Sequence, residues 1–119
     1  MAQELGIRGQ IVRWVSDDVP GFVECRFTDR FDREWVVIEK EPILWNADLA
    51  PFLHADSPYP IKCLIAGEVV SRADIAGRAT VIFDTTRPWG VETTDCVSRF
   101  EVFEDQLAPI PEWKPPNKG

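Results

Sequence analysis

Histidine and tyrosine occur once each in the 119 residues, and cysteine only three times. Structural zinc takes four Cys or His ligands, usually in close pairs. His54 stands alone, there is no CxxC, and Cys25, Cys63 and Cys96 are far apart in sequence, so no metal site is expected. An odd number of cysteines also rules out a complete disulfide framework and points to reduced thiols. No apolar run approaches the roughly 18 residues needed to span a bilayer. Met1–Gly6 has neither a basic nor an apolar leader segment, and Pro115–Gly119 matches no lipidation signal. The expected setting is cytoplasmic, with no membrane contact. Glycine-rich phosphate loops are missing, since Gly6 and Gly9 are isolated and no helix follows them.

Positive charge is also scarce. Thirteen basic residues face twenty acidic ones, for a net charge of −7. Along the chain Arg8, Arg13, Arg26, Arg30 and Arg33 are interleaved with acids. Nucleic-acid binders draw most of their affinity from cations that displace phosphate counterions. Nucleic acid is therefore not the expected partner; a neutral or basic protein is.

Strand periodicity is abundant. Val23, Cys25 and Phe27 alternate with Glu24 and Arg26; Ile61, Cys63 and Ile65 share one face; Phe100 and Val102 alternate with Arg99, Glu101 and Phe103. Period-two alternation marks half-buried strands. Six are predicted, near 7–15, 22–28, 34–41, 61–71, 79–86 and 97–104. The connections 16–21, 28–33 and 72–78 carry the Gly, Pro and Asp residues that turns need. At most a short helical turn follows Asn46, which could cap Ala47–Leu49. Six short strands must curl to hide their edges. The fold class is all-β: a small, strongly bent antiparallel barrel or roll, OB-like or SH3-like, with a two-sheet sandwich as the alternative. Residues 1–108 form the single domain, and 109–119 form a proline-rich C-terminal tail.

No residue set marks a reaction. Cys25 and Cys63 fall on apolar faces, where a thiol's pKa rises and its reactivity drops. Cys96 neighbours Asp95, whose charge disfavours thiolate. Asp29, Asp32 and Glu34 could suggest a cation loop, but Arg30 and Arg33 alternate with them and the calcium-loop order is absent. They read as a solvated hairpin tip.

The five tryptophans are the unusual feature. Trp35 belongs to the core pattern. Trp14 falls on the opposite parity from Ile11 and Val15, which leaves its side open. Trp45, Trp89 and Trp113 lie in loops or tail, as plugs over barrel ends or as exposed contact anchors. The 84–95 loop can bond its own backbone through Thr85, Thr86, Thr93 and Thr94. It also offers Arg87, Trp89 and Glu92 for recognition.

Several segments carry a resemblance. They are Asp84-Thr-Thr-Arg-Pro-Trp-Gly-Val-Glu-Thr-Thr-Asp95, Arg99-Phe-Glu-Val-Phe103 with Gln106-Leu107, Ile7-Arg-Gly-Gln-Ile-Val12, Pro20-Gly-Phe-Val-Glu-Cys25, Glu39-Lys-Glu-Pro-Ile43 and Tyr59-Pro-Ile-Lys-Cys63. Over most of 7–107 the chain resembles small single-domain all-β bacterial proteins of unassigned function. That resemblance implies no activity and no ligand. Some acidic proteins of this size are immunity proteins against bacterial toxins, an analogy that fits the charge.

The expected function is a non-enzymatic protein-binding module without a cofactor. Its surface combines Trp45, Arg87, Trp89 and Glu92, flanked by Asp17, Asp18 and Asp48. One alternative is a small-ligand binder or enzyme with the 42–60 loop as a lid and His54 as its near-neutral titrating group. Another is an OB-like single-strand nucleic-acid binder, which has the aromatics but lacks a basic groove in the sequence.

Overall fold

In the computed structural model, which describes residues 4–16, 21–40, 45–46 (backbone only) and 59–110, the alternating segments become strands. They are β1 (Leu5–Ser16), β2 (Phe22–Thr28), β3 (Glu34–Lys40), β4 (Trp45–Asn46), β5 (Ile61–Ile75), β6 (Arg78–Asp84), β7 (Arg99–Phe103) and β8 (Leu107–Pro109). The strand order is β3-β2-β1-β5-β6-β7, with β4 beside β5 and β8 beside β1. Every pairing is antiparallel. Among the described residues there is no α-helix, only a 3-10 turn at Glu104–Gln106. None of them forms a helix long and apolar enough to cross a membrane.

The sheet is a strongly curled half-barrel. β5 makes the bend possible, because Ile61–Gly67 pair with β1 while Glu68–Ile75 pair with β6. The curl brings the two margins of the strand order together. The Arg30 amide donates to the Glu101 carbonyl of β7, and Thr94 donates to the Val36 carbonyl of β3. Inside, Phe100 of β7 meets Phe27 and Trp35 edge-on, at 5.0 and 5.3 Å between centroids. After β7 the chain turns back, and Leu107, Ala108 and Pro109 pair with Ile7, Gly6 and Leu5 of β1.

The core follows the predicted parity. Ile7, Ile11, Val23, Cys25, Val37, Ile65, Val81, Phe83 and Val102 are essentially sealed from solvent. Trp14 shows how the chain departs from simple alternation. Register shifts between Ile11 and Arg13, and again between Trp14 and Ser16, insert extra residues into β1. A bulge moves later side chains to the other face. Trp14 therefore packs against the core, and Val15 is left 37% exposed.

One strand boundary differs from expectation. The strand expected to end near 71 continues to Ile75, and the turn shrinks to Ala76-Gly77, at φ 53° and 79°. Two positive φ values match the twist of a tight hairpin. Residues 71–79 are exposed on both faces, so no apolar alternation marks them as strand. At the C-terminal end of the described residues, Pro109 pairs with Leu5, and Ile110 donates its amide to the Glu4 carbonyl. The rest of the proline-rich tail, the Asn46 helical turn and residues 17–20 lie outside the described residues.

Candidate functional site

The β6–β7 connection, residues 85–98, is braced from within. Thr85, 1% exposed, donates its hydroxyl to the Val91 carbonyl at 2.7 Å. Its amide donates to Ser98 O at 2.9 Å and its carbonyl accepts the Val91 amide at 3.0 Å. Val91 is 1% exposed and pins this base into the core. The span from Thr86 to Gly90 is closed by the Gly90 amide donating to Thr86 O at 2.6 Å. Gly90 takes φ 65°, and the Arg87–Pro88 bond is cis. A positive φ is open to glycine without steric cost.

A second small turn follows. The Thr93 hydroxyl accepts the amides of Asp95 and Val97, and the Cys96 amide donates to Thr93 O. The entry is fixed electrostatically. Asp84 accepts the Thr86 amide at 2.8 Å and Arg99 Nε at 2.9 Å. Hydrogen bonds from Thr86 and the Arg99 guanidinium hold the Asp84 carboxyl below its ordinary range, against the opposing effect of burial.

On this frame Arg87, Pro88, Trp89, Gly90 and Glu92 are exposed. Trp89 is 57% exposed, so it does not plug a barrel end. The loop bonds its own backbone and leaves the Trp89 ring exposed. Beside it lies an open hollow of about 740 Å³, lined among others by Val70, Asp84, Arg87, Cys96 and Arg99. Val70 is 48% exposed there.

Of the expected site, Arg87, Trp89 and Glu92 share this one loop. The Trp45 side chain lies outside the described residues. Its backbone pairs with Leu64, four residues along β5 from Glu68, which pairs with Asp84. At about 3.3 Å per residue, that separation is roughly 13 Å. Asp17, Asp18, Asp48, His54, Trp113 and nearly all of the 42–60 loop also lie outside the described residues.

The other candidates are held in structural roles. Asp29 is buried, and its carboxylate accepts the amides of Phe31 and Arg33 and the indole N–H of Trp35. Glu34 pairs with Arg26. Among the described residues no His, Cys, Asp or Glu group converges as a metal would require. Cys25 and Cys63 are buried free thiols with sulfurs 3.1 Å apart. The hydrogen bond with Cys63 pushes the Cys25 thiol well above its ordinary pKa, and burial adds to the rise. Such a thiol is a poor nucleophile. Cys96 is exposed, at φ 63°.

No protein-family model, curated protein or solved structure matches this chain.

Proposed function

We propose that the protein is a non-enzymatic binding module that captures another protein through the Arg87–Glu92 loop, with Trp89 as the anchor. The observation that carries this reading is a large ring, 57% exposed, on a loop whose backbone is closed by its own hydrogen bonds. Rigid aromatic and arginine side chains dominate binding energy at protein interfaces, and a preformed loop lowers the entropic cost of docking. The adjoining hollow adds a mixed surface beside the loop, with Val70 exposed among charged residues such as Asp84 and Arg99. The net charge of −7 favours a neutral or basic partner, and masking a basic toxin is one concrete form of the role. The free thiols Cys25, Cys63 and Cys96 suit a reducing, cytoplasmic setting.

The test compares wild-type protein with Trp89→Ala as bait in native cell extract, alongside denaturation curves. Trp89→Ala should cost at most about 2 kcal/mol of stability, against about 3–5 kcal/mol for a buried aromatic. It should weaken capture by about 30-fold or more, the effect of losing a hot spot of about 2 kcal/mol. Arg87→Ala should change stability by less than about 0.5 kcal/mol. Undiminished capture by Trp89→Ala, or a stability loss in the buried range, overturns the assignment.

A further inference from the structure

Away from the Trp89 loop, the outward faces of β1, β2 and β5 surround a hollow of about 630 Å³, bordered by Arg8, Gln10, Arg26, Thr28, Lys62 and Leu64. Pockets of about 300–1,000 Å³ are the size that accommodates small organic ligands. The cations come from three strands that are distant in sequence and adjacent in space. Arg26 lies opposite Gln10, and Gln10 lies opposite Lys62. Neighbouring strands are about 4.8 Å apart, so the Arg26 and Lys62 backbones stand roughly 10 Å from each other. Arg8 is two residues from Gln10 on the same face of β1, roughly 7 Å along the strand. Long, flexible side chains at these separations can converge on one anionic group.

The three cations are not equally engaged. Arg26 is held by Glu24 and Glu34, through Nε and one terminal nitrogen. Arg8 and Lys62 are exposed and form no ion pair among the described residues. Glu34 is the one acid on the described border of the hollow, and Arg26 already engages it. The border also contains the half-buried Val12 and, opposite Arg8, Leu64, which offer apolar contact to the body of a ligand. In a chain with net charge −7 this is a local positive site in a negative field.

We propose that this hollow binds a small phosphorylated molecule, with the phosphate held by Arg8, Lys62 and the free edge of Arg26, and with Gln10 and Thr28 as neutral donors. Guanidinium and ammonium groups form short, charge-assisted hydrogen bonds to phosphate oxygens. The short β4 pairs with Cys63 and Leu64 of β5, both on the border of the hollow. A polynucleotide is less well suited, because the basic residues form one compact cluster rather than a track along the surface.

The test titrates the full chain with adenosine 5′-monophosphate, ribose 5-phosphate and adenosine, followed by amide NMR shifts. An ionic strength of about 0.15 M is used, where a screening length of about 8 Å suppresses repulsion from the distant acids and leaves the local site intact. Both phosphorylated probes should saturate with shifts centred on Gln10, Thr28 and Lys62, and adenosine should not. Arg8→Gln/Lys62→Gln alters exposed side chains, so its melting curve should overlay the wild type while affinity falls at least about tenfold. No saturation at millimolar probe overturns the proposal, as does equal binding of adenosine or full affinity in the double variant. An oligothymidylate that binds far more tightly than the monophosphate, with shifts spreading beyond these residues, also overturns it in favour of a nucleic-acid surface.

Discussion

Thr85→Val removes one hydroxyl from the base of the Trp89 loop and keeps the side-chain shape. Thr85 is 1% exposed, and its hydroxyl sits 2.7 Å from the Val91 carbonyl, with the Ser98 carbonyl at 3.3 Å. Ser98 O keeps the Thr85 amide at 2.9 Å, so Val91 O is the group that loses its partner. A typical hydrogen bond contributes a net of about 1 kcal/mol, while a buried acceptor left unsatisfied costs up to about 3 kcal/mol. Thr85→Val should therefore destabilise by about 1–3 kcal/mol. In a domain of this size, each kcal/mol lowers Tm by roughly 4 °C. Thr85→Ser is the control: it keeps the donor and loses only a methyl. Urea denaturation gives the global loss, and amide hydrogen exchange at Gly90 and Val91 reports the loop. Both amides close onto Thr86 and Thr85 carbonyls, so their protection should fall in Thr85→Val and persist in Thr85→Ser. If the Trp89 frame is preorganised, partner capture should weaken in the valine variant even though Trp89 is untouched. A stability within about 0.5 kcal/mol of wild type, with unchanged protection at both amides, would refute the bracing.

Asp29→Asn keeps one oxygen for the Phe31 and Arg33 amides but turns an amide N–H₂ toward the Trp35 indole N–H. It should cost about 1.5–3 kcal/mol, the range for hydrogen bonds to charged groups. Trp35→Phe should absorb part of that cost in a double-mutant cycle, and strict additivity would sever the link. Glu24 is buried between Arg13 and Arg26, both at 2.8 Å. Burial raises its pKa, but hydrogen bonds and charge from Arg26 and Arg13 outweigh burial and hold it below the ordinary value. A carboxyl lowered in the folded state stabilises fully above its ordinary pKa, and the contribution is lost as pH falls through the folded pKa. Stability measured from neutral pH into the acid range should therefore decline, and Glu24→Gln should flatten that decline. At neutral pH the variant should lose roughly 1–2 kcal/mol, below the cost for a fully buried pair because water screens both guanidiniums. An unchanged acid slope in Glu24→Gln would count against this pairing.

Much of the fold is legible because strand alternation is local. Cys25, Cys63, Phe100 and Val102 declare their inward faces through their immediate neighbours, and all four are buried. Trp35 shows the same. The 28–33 segment is a turn as its composition indicates, but Asp29, expected at a solvated tip, is buried because its carboxylate accepts the Phe31 and Arg33 amides and the Trp35 indole N–H. Local chemistry also places Arg87, Trp89 and Glu92 on one loop, since Pro88 and Gly90 interrupt the strand pattern and the threonines supply bonds. The signal fails where the partner strand decides. The bulges in β1 turn Trp14 inward, and nothing within 7–15 announces them. β8 is three residues long and exists because the curl returns the chain to β1. Residues 71–79 pair without burying a face, so alternation is silent there.

Charge gives the sharpest division. In the sequence the cations are interleaved with acids and form no cluster, and the net value is −7. Each strand's parity does put Arg8, Arg26 and Lys62 outward, and that much the sequence determines alone. Which strands lie side by side is a different matter. Lys62 reaches Gln10 because β5 crosses to β1 over a separation of more than fifty residues, and Arg26 reaches the other side of Gln10 through β2. Hydrogen-bonded register, set by the collapse of the whole apolar face, fixes those neighbours. The sequence determined the faces; the tertiary structure decided which faces meet, and with them the position of the exposed ring and the gathering of the three cations.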